Sequence, residues 1–343
     1  MRPRLLLVVS GLICGAMSSG CNRAPSPEYL AAITELSNRI DDFRGELSST
    51  RDMPQRLQAL IEQDPSQPHA YVEAAHFILF VGSTNGWQGR SNKATEAAES
   101  LLDDAQKRDP AYCPTYWLRT QLYVALNQPD RALATAAATD SRHCDDPYLR
   151  VSSARALIAR VESEPDDLAK EDIAKAEVAL RGVFDAGPGV TSHSHLAYAA
   201  AAYDFGSLLY RIGRHDELRE HLSRWEAEGQ VLDPWSQVNM ARLYELIGMF
   251  DRAEMAAQAA LTVVDFPAAR NAMGTALYGE AWTHELQGET KAAAALSTRA
   301  QKYLTDESLA LKTYSGAACC VSAPWKALLE VHAKQNSAPS NTR

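Results

Sequence analysis

Apolar positions recur at helical spacing along almost the whole chain beyond its first two dozen residues, and no window alternates polar and apolar as a half-buried strand would. An all-α protein is predicted. The helical pattern also repeats itself. In segment 235–267, Ala241 is followed seven residues later by Gly248, twelve later by Ala253 and nineteen later by Ala260. The same ruler fits Ala281, Gly288, Ala293 and Ala300; then Thr120, Asn127, Ala132 and Thr139; then Gly206, Gly213, Leu218 and Trp225, with large residues in the last two places. A fifth copy is interrupted, because Ala75 and Gly82 are separated from Ala98 and Ala105 by an insertion at 82–92, GSTNGWQGRSN.

The ruler has a physical basis. Two antiparallel helices approach closely only where the facing side chains are small, so the alanines mark a contact line. Gly or Asn between them supplies the left-handed residue that ends one helix and starts the return, a role that fits Gly82, Asn127, Gly213, Gly248 and Gly288. Asp109-Pro110, Asp146-Pro147, Asp233-Pro234 and Pro267 punctuate the units, since proline cannot continue a helix. The 86 residues between Asn127 and Gly213, against 35 and 40 between the later turns, leave room for one more unit at about 148–186. Its helices are expected over Tyr148 to Val161 and Leu168 to Phe184.

Over roughly residues 68–305 this pattern resembles the tetratricopeptide repeat (TPR) family. The resemblance implies about six antiparallel helical hairpins stacked into a right-handed superhelix, with the first helix of each lining a concave groove. Inward positions would include Val72, His76 and Leu79; Trp117, Gln121 and Val124; Tyr203, Ser207 and Tyr210; Val238, Arg242 and Glu245; and Tyr278, Trp282 and Glu285. Trp117, Tyr203, Tyr210, Arg242, Glu245, Tyr278, Trp282 and Glu285 are the candidate partner contacts, because aromatic and Arg side chains anchor bound peptides. Trp87 in the insertion is a candidate loop contact or a residue tucked onto its own hairpin. The Lys and Asn clamp by which some relatives hold an acidic C-terminus is absent. A rival arrangement would hold a small ligand between Tyr203, Tyr210, Trp235 and Arg242.

Ahead of the repeats, Ile33, Leu36, Ile40, Phe43 and Leu47 form an apolar seam through 27–47. It is expected to pack on the first repeat, or to pair two copies as a short coiled coil. Behind them, Ala323 to Lys334 reads as a capping helix carrying Trp325, Leu328, Leu329 and Val331, followed by a polar tail from Gln335. The expected divisions are 1–20, 21–67, 68–305 and 306–343.

Arg2 and Arg4, the apolar run Leu5 to Ile13 and the small residues to Gly20 have the layout of a secretory signal. Ser18-Ser19-Gly20-Cys21 resembles a bacterial lipobox, although Ser18 stands where Leu is usual. The resemblance implies cleavage before Cys21 and lipidation of its thiol; Asn22, in place of the usual retention Asp, points to an outer-membrane lipoprotein facing the periplasm. The net charge is −9, and becomes −11 once Arg2 and Arg4 leave, a balance that argues against tracking nucleic-acid phosphates. Beyond Cys14 and Cys21 there remain Cys113, Cys144, Cys319 and Cys320. Four cysteines permit three pairings, or four buried or free thiols; because an antiparallel hairpin returns its two ends to one side, the pairing favoured is Cys113–Cys144, which leaves the adjacent Cys319 and Cys320 strained or free.

Catalytic constellations are missing. His284-Glu285 opens like a zinc-protease helix, but Gly288 stands where the second His is required, and His215 and His221 are six apart and share no helical face. His193-Ser194-His195 sits where Ser192 or Ser194 would cap a helix. No phosphate-cradling loop, nucleophile elbow or dinucleotide fingerprint occurs. The expectation is a non-enzymatic scaffold without cofactor or metal, binding a protein or peptide of the bacterial cell envelope.

Overall fold

The computed structural model describes residues 24–43, 47–84, 92–139, 144–163, 169–228 and 233–304. Among these the regular structure is helical throughout. Helix α1 (Pro27–Asp41) starts at Ser26, whose hydroxyl accepts the Tyr29 N–H at 3.2 Å. A 3-10 turn (Leu47–Thr50) leads to α2 (Met53–Gln63). Six antiparallel hairpins follow among the described residues: α3 (His69–Thr84) with α4 (Asn92–Arg108), α5 (Cys113–Ala125) with α6 (Pro129–Ala137), and α7 (Pro147–Ser163) with α8 (Ala169–Asp185). Then come α9 (Ser192–Arg211) with α10 (His215–Glu228), α11 (Pro234–Leu246) with α12 (Phe250–Val263), and α13 (Pro267–Leu286) with α14 (Thr290–Ala300).

The small-residue ruler falls on the helix contacts. Ala75, Ala98, Ala105, Thr120, Ala132, Ala241, Ala253, Ala260 and Ala300 are all sealed from water. Where Leu218 and Trp225 replace small residues they are just as buried, and Gly206 makes the space: a Cβ there would come within 3.2 Å of the Leu218 side chain. Asn127, Gly213, Gly248 and Gly288 take φ of 55°, 77°, 73° and 81°, so each turns its hairpin through the left-handed region.

Two expectations about punctuation are corrected, at Gly82 and at the cap of α9. Gly82 does not end its helix, since α3 runs on to Thr84; a long connection removes the need to reverse the chain at once. Asp109-Pro110 lies between α4 and α5, closing the first unit as expected, and Asp109 accepts the Ala111 N–H at 2.8 Å in a turn. The cap of α9 is Thr191, with Ser194 as its reciprocal partner in a capping box. Asp146 and Asp233 do cap α7 and α11, accepting backbone N–H groups at 2.8 Å in each case.

The first helices of successive hairpins pack in a row, α3 on α5, α5 on α7, α7 on α9, α9 on α11 and α11 on α13, which gives the stack its superhelical path. One apolar core runs through this stack from Tyr71 to Ala300. A second, smaller cluster joins Tyr29, Ile33, Leu36 and Ile40 of α1 to Met53, Leu57 and Leu60 of α2 and to Ala70. The α1 seam is thus buried within the chain, on the first repeat.

Cys113 and Cys144 form a disulfide with Cα atoms 5.5 Å apart, tying the start of α5 to the entry of α7. Closing a loop across 31 residues restricts the unfolded chain and contributes about 3.5 kcal/mol. Residues 1–23 with Cys21, the insertion tip with Trp87, and the segment holding Cys319, Cys320 and the expected capping helix lie outside the described residues. No helix among the described residues is long and apolar enough to cross a membrane.

Candidate protein-binding groove

The row of first helices carries the inward residues, and the structure sorts them into covered and half-buried groups. Trp117 on α5 is only 4% exposed, so it is corrected from partner anchor to internal packing. Its ring meets His76 of α3 at 5.3 Å, His193 of α9 at 5.1 Å and Tyr148 of α7 at 4.9 Å, one aromatic joint across four consecutive hairpins. Glu245 is also covered, 5% exposed, because Thr275 Oγ1 of the next hairpin donates to it at 2.6 Å; it holds α11 to α13 and is corrected in the same sense. Val72, Leu79 and Val238 belong to the core.

The half-buried group lies nearer the C-terminal end. Tyr203 and Tyr278 pack against the edge of the core, and Tyr210 stacks on His215 with ring centroids 5.2 Å apart. Arg242 donates to Asn239 one turn earlier on α11. Trp282 on α13 is half-buried; its Nε1 is shut away from water and finds no acceptor among the described residues. Glu285, one turn on, is exposed. Of the four residues of the rival ligand arrangement, Trp235 has fixed neighbours: its Nε1 donates to the Phe43 carbonyl at 3.1 Å and its ring packs edge-on against Phe266.

That bond exposes what the sequence did not suggest. Helix α1 packs on α2 and α3 and also reaches α9, three hairpins further along the concave row. Its end therefore crosses the groove. Asp41 lies 3.6 Å from His76 Nε2, beside Glu73, whose carboxylate is 3.2 Å from His76 Nδ1. His193 Nε2 sits 3.1 Å from both oxygens of Asp146, the residue that caps α7. Burial pushes the Asp41 carboxyl up to about 6; Glu73 adds to the rise, while His76 and His193 oppose it. Burial alone would lower His193, but its hydrogen bond and charge pairing with Asp146 outweigh this and leave it raised. A second polar bridge joins α7 to α9, where Arg155 Nε donates to Asp204 at 2.5 Å and Nη1 reaches Gln121 of α5 at 3.2 Å.

Both shifts have one sign. A folded state that holds protons more tightly than the unfolded chain loses stability as pH rises, for Asp41 from its ordinary 3.8 through about 6 and for His193 through its raised value. Asp41→Asn removes the Asp41 share. Relative to this variant, the wild-type chain should lose about 1 to 3 kcal/mol between pH 4 and pH 7.5 in denaturant titrations. Parallel curves for the two proteins would detach Asp41 from the linkage.

Among the described residues no group of three or more His, Cys, Asp or Glu side chains is placed to hold a metal ion. Stacked hairpins with one helix of each lining a concave face define the class, a TPR-like helical-repeat fold. No protein-family model and no curated protein matches the chain. Among solved structures it is similar to a thermophilic TPR protein of Thermus thermophilus, 19% identical over 60% of this chain and 99% of that one, TM-score 0.46. It is also similar to a TPR protein of Parabacteroides merdae, 15% identical over 83% and 96% of the two chains, TM-score 0.41. A third similarity is to the Cut9–Hcn1 hetero-tetramer of the APC/C, 11% identical over 79% and 52%, TM-score 0.45.

Proposed function

We propose that this chain is a non-enzymatic scaffold of the bacterial cell envelope, tethered by a lipid on Cys21, that holds another envelope protein or peptide against the groove face of its last hairpins. The observation that carries the binding part is Trp282, a half-buried aromatic on α13, the first helix of the last hairpin. Tyr278 one turn before it and exposed Glu285 after it extend the same face. Replacing Tyr278 and Trp282 together by Ala should abolish in-cell crosslinking to the partner while leaving helical circular dichroism unchanged. A crosslinked band of undiminished strength would move the binding surface elsewhere, with Trp87 the next residue to test.

The anchor rests on the N-terminal sequence alone. Cys21→Ser should shift the protein from the membrane pellet to the soluble fraction and stop incorporation of labelled fatty acid, since the acidic repeat domain offers no affinity of its own for an anionic surface. Unchanged pelleting would sink the lipoprotein assignment and leave the scaffold assignment standing.

A further inference from the structure

Asp41 is the last residue of α1, and its carboxylate enters a cluster drawn from distant parts of the chain. His76 of α3 stands between Asp41, 3.6 Å from its Nε2, and Glu73, 3.2 Å from its Nδ1, and all three side chains are nine-tenths or more covered. Alongside, His193 of α9 holds Asp146, the cap of α7, at 3.1 Å. The ring of Trp117 packs against both imidazoles. Three carboxylates and two imidazoles thus share one site with little access to water. The other charged groups around it are accounted for. Asp42 follows Asp41 on α1, Arg155 of α7 and Asp204 of α9 pair with each other beyond Tyr148, and Asp52 and Arg56 of α2 are engaged by Arg39 and Glu35.

A carboxylate taken out of water is costly in its charged form, and a second carboxylate nearby adds to the cost. Burial and Glu73 therefore favour a proton on Asp41, which titrates at about 6, and Asp146 favours one on His193 against the opposing effect of burial. Two residues past Asp41, the Phe43 carbonyl accepts the indole N–H of Trp235 on α11 at 3.1 Å. The end of α1 is thus held to α3, α9 and α11 by polar contacts. The stripe Tyr29, Ile33, Leu36 and Ile40 is held separately, in the N-terminal core with α2 and Ala70. A helix end can open locally while its core stays closed.

We propose that Asp41, Glu73, His76, Asp146 and His193 form a pH-sensitive latch: with its protons bound it fastens residues 41–43 across the concave face, and on losing them it releases that end while the rest of α1 stays in place. The opened end has Asp41 in water at its ordinary 3.8. The latch is then strongest below about pH 4 and weakens as pH rises through about 6; it weakens again above 6.5 as His193 gives up its proton. The device regulates the shape of the concave face and stands apart from binding at Tyr278 and Trp282.

Exchange of the Trp235 indole N–H with solvent deuterium, followed by NMR on the full chain and corrected for the intrinsic pH dependence of indole exchange, reads the latch directly. Trp225, fully buried on α10, is the internal control, and Trp235→Phe and Trp225→Phe assign the two signals. Exchange at Trp235 should speed up about tenfold or more between pH 4.5 and 6.5 and again by pH 8, while Trp225 stays as it was. Asp41→Asn should lose the first rise and keep the second. Glu73→Gln should move the first rise to lower pH, because the Glu73 carboxylate helps to push Asp41 up. A pH-independent Trp235, a Trp225 that follows it in step, or a first rise unmoved in the folded Asp41→Asn or Glu73→Gln protein overturns the proposal.

Discussion

Gly279→Ala should destabilise the protein by about 2 to 4 kcal/mol, although alanine is the better helix former. Gly279 lies inside α13, where exchanging glycine for alanine in an unconstrained helix gains about 1 kcal/mol. Against that gain, a Cβ at this position would overlap the ring of Phe250, well inside van der Waals contact at three of its carbons. Phe250 opens α12 and is itself buried, so the ring has no free space to yield into. Overpacking of this kind outweighs propensity. Gly182→Ala in α8 is the internal control, because nothing lies within 4 Å of a Cβ there and the same exchange should stabilise by a few tenths to about 1 kcal/mol. Equal melting temperatures for Gly279→Ala and wild type would mean that α12 and α13 are not in the contact described.

Asp204→Leu should cost about 3 kcal/mol or more, measured by denaturant unfolding at neutral pH. Arg155 and Asp204 bridge α7 and α9 on the concave side with little access to water, and burial pushes the Asp204 carboxyl up while Arg155 pulls it down. Removing the acid leaves the guanidinium, among the described residues, beside the neutral Gln121 and Tyr148, and an uncompensated charge is the expensive part. The double variant Arg155→Met with Asp204→Leu should recover most of the loss, since two apolar groups of similar volume ask for no partner. If the double variant is as unstable as the single one, packing and not charge sets the cost.

The hairpin register was readable because it depends on neighbours in sequence. Small residues at fixed offsets, a residue tolerant of positive φ between them and an acid-proline step at several unit starts are each a local requirement of two helices folding back on one another. This is why the unit at 148–186 could be placed by spacing alone, and why its helices occupy Pro147–Ser163 and Ala169–Asp185 within two residues of the expected ends. The groove was only half legible. Tyr278 and Trp282 were picked out as aromatic residues on an inward face, and the same rule wrongly offered Trp117, because helical periodicity cannot tell a side chain facing open space from one facing the next hairpin.

What the sequence determined by itself is the set of helices, their pairing and the turns between them, since those follow from contacts a few to forty residues apart. What only the tertiary structure decided is the filling of the concave face. Asp41, His76, Trp117, Tyr148 and His193 meet there from α1, α3, α5, α7 and α9, and Phe43 meets Trp235 across 192 residues. No pattern along the chain encodes these meetings. They depend on the curvature that the whole stack accumulates, one small rotation per hairpin, before it brings α9 and α11 round to the end of α1.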